Sequence, residues 1–247
     1  MRKFNWQGHE WIVVEHWGET HSQFPLSWYD PAAVKIDNNK ISLGVTNNQK
    51  YIYIDGAPCF RKFGVGRVDC STEFKYGEFE WSFKLPKGSS LWPALWLQSY
   101  QSWPPEIDCV EGWSKDDCAT YSKQLFWTNI HPTCHWKGPD GEHWSRGVFN
   151  TPKTCMKENN TNICSIEWRK DSIKVFYNNK LKGEWTEPLL LKQLNDEAVW
   201  MHPTMDVGLQ SNFTYNDFDK YCKKGCPMEV YSFKWTPLDG EDCKIKK

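Results

Sequence analysis

The chain has 247 residues, enough for one large domain with a full hydrophobic core, and it is read as a single unit over residues 1–247. Its 30 basic and 31 acidic residues leave a net charge of −1 with no strongly basic block, which argues against nucleic acid or an anionic membrane as partner. No stretch approaches the roughly 18 apolar residues that a membrane span requires.

In chain order, the first ten residues contain no secretory hydrophobic region, which leaves the compartment open. The segment Phe79-Glu80-Trp81-Ser82-Phe83-Lys84-Leu85 puts its apolar side chains on one face and stops at Pro86-Lys87-Gly88, as a half-buried strand does. Ile173-Lys174-Val175-Phe176-Tyr177 is a second strand. The turn-prone pair Asn178-Asn179 then returns the chain into residues 181–185 as a hairpin. Residues 189–197 form the best helical candidate, short and poorly capped, and Glu229 to Trp235 alternates once more. Many short strands with almost no helix predict an all-β fold, a sandwich or jelly roll of two packed antiparallel sheets.

Composition adds two signals. Ten cysteines (59, 70, 109, 118, 134, 155, 164, 222, 226 and 243) are compatible with several disulfides or with buried thiols acting as small apolar groups, and both readings stay open. Sixteen Trp, 10 Tyr and 13 Phe stand in a chain of mean hydropathy −0.71. Most of the tryptophans are expected in the core, which leaves several for an exposed platform of the kind sugar rings stack on.

Chemistry concentrates in Glu106-Ile107-Asp108-Cys109-Val110-Glu111. On a regular strand residues 106 and 108 share a face, while 111 has the wrong parity and points into the core. A β-bulge at Cys109-Val110 returns Glu111 to the face of the other two acids and leaves Ile107 and Cys109 between the sheets. Three carboxyls on one open face are an electrostatic liability, so a purely structural role is disfavoured. The set suits retaining glycoside cleavage, which needs two carboxyls about 5–5.5 Å apart. Glu106 is assigned as nucleophile, Glu111 as general acid/base, and Asp108 as the group that holds Glu106. Crowding is expected to keep one proton on the cluster, best placed on Glu111.

At this point the chain resembles glycoside hydrolase family 16, the laminarinase, lichenase, agarase and carrageenase group. The resemblance is carried by Gly66-Arg67-Val68, Tyr76-Gly77-Glu78-Phe79-Glu80, Leu91-Trp92-Pro93-Ala94-Leu95-Trp96-Leu97 and Trp103-Pro104-Pro105 leading into the acidic run. It continues through Thr128-Asn129-Ile130-His131, Ser165-Ile166-Glu167-Trp168 and Met228-Glu229-Val230, and covers about residues 60–236. It implies a β-jelly roll with an open substrate cleft, endo action and the bulged acidic motif of the laminarinase-like branch. An extracellular location follows by the same implication. So do a place for His131 facing the catalytic centre and a structural calcium as the one cofactor to consider.

Trp92, Trp103, Trp113 and Trp127 are expected to line the cleft with Asn129 and His131; alternation parts Trp92 from Trp96 only if a kink intervenes, which would send one of the two to the core. His131-Pro132-Thr133-Cys134-His135 and Cys222-Lys223-Lys224-Gly225-Cys226 lack a second half at zinc-site spacing, so no metal ligands are assigned. Asn159-Asn160-Thr161 and Asn212-Phe213-Thr214 fit the glycosylation sequon. The expected partner is a polysaccharide, and the expected state a monomer. The leading function is a retaining endo-β-glucanase acting on β-1,3- or mixed β-1,3/1,4-glucan. Its rivals are an endo-β-galactanase, a transglycosylase, and a non-catalytic carbohydrate-binding lectin on the same fold.

Overall fold

The computed structural model describes residues 2–15, 26–37, 39–54, 56–88, 90–112, 130–148, 160–225 and 227–246. Two large antiparallel sheets dominate. The first has eight strands in the spatial order Arg2–Trp6, His9–Val13, Arg67–Cys70, His202–Leu209, Leu91–Gln98, Glu106–Glu111, His131–Lys137 and His143–Gly147. The second has seven, in the order Lys180–Trp185, Ile173–Tyr177, Asn162–Trp168, Gly77–Lys84, Met228–Thr236, Ile41–Leu43 and Val34–Ile36. The expected jelly-roll sandwich is therefore present, with one helix of two turns at Pro188–Leu194 where residues 189–197 predicted it.

The core is the space between the sheets. Gly77–Lys84 buries every second residue, so that Phe79, Trp81 and Phe83 are shielded completely. Leu95 and Leu97 face them from the other sheet, joined by Ile107, Cys109 and Val110. Asn178 and Asn179 adopt positive φ (48° and 63°), the conformation a tight hairpin turn demands, and residues 173–177 pair with 180–185 across them.

A feature not anticipated is the short helical segment at Tyr215–Asp217 that continues through Phe218–Cys222. Thr214 and Asp217 close a reciprocal capping box at its start, a signal the T-x-x-D spacing carries in sequence.

Cys59, Cys70, Cys109, Cys134, Cys164 and Cys243 are free thiols. Cys109, Cys134 and Cys164 are fully buried between the sheets and serve as small apolar groups, and burial pushes the Cys109 and Cys134 thiols up. Cys118, Cys155, Cys226 and the Asn159 sequon lie outside the described residues. Among the described residues no helix is long and apolar enough to cross a membrane.

Candidate active site

The acidic strand pairs with Leu91–Gln98 on one side and His131–Lys137 on the other, and its register slips in both ladders. Trp96 pairs with Asp108 but Leu95 with Val110; Thr133 pairs with Asp108 but His131 with Glu111. The extra residue is the bulge that the parity of Glu111 required. It turns Glu111 to the face of Glu106 and Asp108, while Ile107, Cys109 and Val110 stay fully buried. The bulge also diverts the Cys109 carbonyl from regular pairing, and the Tyr177 hydroxyl reaches across the core to donate to it at 2.7 Å. A lost ladder bond is thus replaced by one from the opposite sheet.

All three acids open into a cleft of about 280 Å³. Trp92, Ala94 and Trp96 alternate along their strand and form one wall; Trp103 and His143 form another; Tyr29, Arg67 and Asp206 complete the floor. Trp92 and Trp103 fall where the sequence placed them. No kink separates Trp96 from Trp92, so it shares that residue's face and neither goes to the core; its indole N–H donates to Asp206 Oδ1 at 2.9 Å. Trp113, Trp127 and Asn129 lie outside the described residues.

His131 is the ladder partner of Glu111, 3% exposed, with Nε2 at 3.6 Å from Glu111 Oε2, so it stands beside that acid on the same face of the sheet. A second imidazole, not singled out from the sequence, lines the cleft four residues on: His135, directly across the ladder from Glu106. Its Nε2 stands 3.1 Å from Asp108 Oδ2 and 3.6 Å from Glu106 Oε1. His143, on the next strand, places Nε2 at 2.8 Å from His135 Nδ1, with the two rings nearly parallel. Trp103 lies over His143 and donates its indole N–H to Glu106 Oε2 at 2.8 Å, although half of its own surface stays exposed. Glu106, Asp108 and His135 together are the one set of described residues whose arrangement could hold a metal ion.

Beneath the acids lies a buried charge cluster. Arg67, 2% exposed, makes a bidentate pair with Asp69 at 2.8 and 3.1 Å and stacks 5.1 Å from both the Tyr29 and Trp96 rings. Burial raises the Asp206 carboxyl to about 6, opposed by Arg67 and by the Trp96 hydrogen bond.

The three central carboxyls are all raised. Burial is the largest cause for each. For Glu106 the charge of Asp108 adds to it, and for Asp108 the charge of Glu111 does the same. Glu111 is raised by burial but drawn back by His135 and by a hydrogen bond with Trp92. Burial thus favours the protonated form at all three acids, and the protons belong to the cluster.

A stability consequence follows. Carboxyls raised above their unfolded values make the folded state bind more protons than the unfolded chain. Their effect is therefore most favourable below the usual carboxylate range and is lost as pH rises through the raised folded values. Asp108→Asn is expected to melt higher than the wild type at pH 8, with the difference closing toward pH 4. Thermal melts of both proteins across that range check it, and a destabilised variant at pH 8 would contradict it.

The described residues thus form an all-β sandwich that carries three carboxyls and a tryptophan wall in one open cleft. Residues 20–194 match the model of the glycosyl hydrolases family 16, and the chain belongs to that family. It is 29% identical over 121 residues to a beta-1,3-glucan-binding protein of Penaeus monodon, a stretch covering 44% of this chain and 31% of that one. It is 23% identical over 174 residues to glucan endo-1,3-beta-glucosidase A1 of Niallia circulans, covering 66% of this chain and 24% of that protein. The chain thus spans less than a third of the length of these curated relatives. Among solved structures, LamA of Z. galactanivorans, in complex with laminaritriose and laminaritetraose, superposes with a TM-score of 0.65 at 16% identity, covering 92% of each chain. Porphyranase B of Zobellia galactanivorans does so with a TM-score of 0.68 at 15% identity, covering 100% of this chain and 89% of that one.

Proposed function

We propose that the chain is a retaining, endo-acting glycoside hydrolase that cuts a β-1,3- or mixed β-1,3/1,4-linked glucan. The observation that carries this reading is the bulge-restored alignment of Glu106, Asp108 and Glu111 in one tryptophan-walled cleft. A cleft open to solvent admits the middle of a long chain, which is what endo action needs.

In the first step a Glu106 carboxylate oxygen attacks the anomeric carbon. The bond to the departing sugar breaks, and Glu111 gives its proton to the leaving oxygen. In the second, Glu111 takes a proton from water, the water oxygen attacks the anomeric carbon, and Glu106 leaves as a carboxylate. Trp103 and Asp108 fix the Glu106 carboxyl, the former through a 2.8 Å hydrogen bond. Glycosylation of Glu106 removes one charge from the cluster, so Glu111 then gives up its proton more readily.

Relatives bearing glucanase names support the glucan, while the porphyranase fold neighbour keeps a galactan as the alternative substrate. The Penaeus monodon relative is named as a binding protein, which makes a lectin the rival from another class. A lectin has no use for three crowded carboxyls whose protonation burial disturbs. Oligosaccharide release from laminarin, lichenan, barley β-glucan, agarose and κ-carrageenan separates these readings. Release from a glucan is expected. Release from a galactan alone would overturn the substrate, and binding without any release would overturn the enzyme.

A further inference from the structure

Three atoms bearing lone pairs converge at one point of the cleft. Asp108 Oδ2 is one; it is buried, and no hydrogen bond from the described residues reaches it. Glu106 Oε1 is the second, while Trp103 donates to Oε2. His135 Nε2 is the third, 3.1 Å from the first and 3.6 Å from the second. All three donors lie within 4.8 Å of one another. A proton can bridge only two such atoms at a time, whereas a cation held among them serves all three.

The spacing identifies the kind of cation. Zinc bonds of about 2.1 Å in a tetrahedron set neighbouring donors about 3.4 Å apart, and the two separations from His135 bracket that value. Two carboxylates and one imidazole form a mixed oxygen and nitrogen set suited to a borderline transition metal. Calcium and magnesium take oxygen donors in larger number.

A separate observation concerns the other side of His135. Its Nδ1 is 2.8 Å from His143 Nε2, so the far ring nitrogen already has the outer partner that a metal-bound imidazole needs to fix its tautomer and direction. With Nδ1–H donated to His143, the Nε2 lone pair points at the two carboxylates. The strand pairing explains why this site escapes sequence inspection. His135 lies opposite Glu106 and His143 opposite Lys137, so donors separated by about 30 residues meet through register alone.

We propose that Glu106, Asp108 and His135 form a site for a divalent transition-metal ion of the zinc class, with His143 as the residue that orients His135. The fourth position opens to the cleft. A bound ion occupies the carboxylate oxygens that the proposed hydrolysis uses, so metal and substrate exclude each other. The binding claim stands on the donor geometry and does not depend on the hydrolytic reading.

Calorimetric titration of the full chain with zinc chloride at neutral pH, beside the variants His135→Gln, Asp108→Asn and His143→Phe, tests the proposal. One zinc ion per chain is expected, lost in the first two variants and weakened about tenfold or more in the third. Excess calcium or magnesium leaves the binding unchanged. Zinc binding that survives His135→Gln, or no binding by the wild type, would overturn the site. Should a variant fail to fold, the absorption spectrum of the wild type with cobalt(II) decides the matter. Nitrogen and oxygen donors give no thiolate-to-metal charge-transfer band, and such a band would move the ion to the cysteines and sink the proposal. Hydrolysis without metal binding, or metal binding without hydrolysis, would tell the two claims apart.

Discussion

Glu106→Gln is expected to lower kcat on a susceptible polysaccharide by about 10³–10⁵-fold while leaving the fold intact. The amide matches the carboxyl in shape, so the Trp103 indole at 2.8 Å keeps an oxygen to donate to and packing is undisturbed. What disappears is the nucleophile. Glu111 and the tryptophan walls remain, so substrate binding should persist with KM little changed. Removing a buried acid beside Asp108 also relieves the crowding that raises both groups, so the variant should be no less stable than the wild type. In Glu106→Ala, which leaves room beside the anomeric carbon, azide supplies an external nucleophile and should restore turnover of an activated aryl glycoside with formation of a glycosyl azide. The matching change at Glu111 should behave differently, sparing substrates whose leaving group needs no protonation. Steady-state kinetics on the glucan and on an activated aryl glycoside separate the two roles. Equal activity of Glu106→Gln and wild type would remove Glu106 from the mechanism.

The largest expected effect on stability comes from the cleft floor. Arg67→Met should cost about 3–5 kcal/mol, because it leaves the buried Asp69 and Asp206 without their counter-charge. The same change removes a guanidinium stacked on Tyr29 and Trp96, so part of the loss is packing. For a chain of this length such a loss lowers Tm by roughly 6–20 °C. The pH dependence tests the electrostatic share. Asp206 already titrates at about 6 with Arg67 present and should move higher without it, so the penalty should be smaller at pH 5 than at pH 8. Adding Asp206→Asn should recover part of the loss. Thermal melts of the single and double variants at both pH values check this, and a penalty independent of pH would assign the effect to packing alone.

How far the site could be read from sequence depends on the range of the interaction. The acidic run carried its own geometry. Residue parity alone exposed the conflict at Glu111, and a bulge was the smallest repair. Strand alternation likewise located Phe79, Trp81 and Phe83 in the core. The same parity rule puts Trp96 on the face of Trp92, and both line the cleft.

The residues that escaped notice arrive by strand register, which no local pattern encodes. His135 enters the cleft because it is the ladder partner of Glu106, as His131 is of Glu111 across the bulge. Arg67, Asp206 and Tyr29 reach the floor from separate parts of the chain, and their polarity gave no clue that they were buried. The cysteines show the converse limit. Their number left an oxidised scaffold and buried thiols equally open, and Cys109, Cys134 and Cys164 lie on core faces where a small apolar side chain fits.

The central claim is that Glu106 becomes covalently attached to sugar. Its most direct test is mass spectrometry of a peptide digest after reaction with a 2-fluoro β-glucosyl oligosaccharide carrying a good leaving group, since the fluorine slows the second step and lets the intermediate accumulate. The account predicts one sugar adduct per chain, on the peptide containing residues 106–111 and at Glu106. Turnover of the natural glucan with no adduct at Glu106, or an adduct at Glu111 instead, would contradict it.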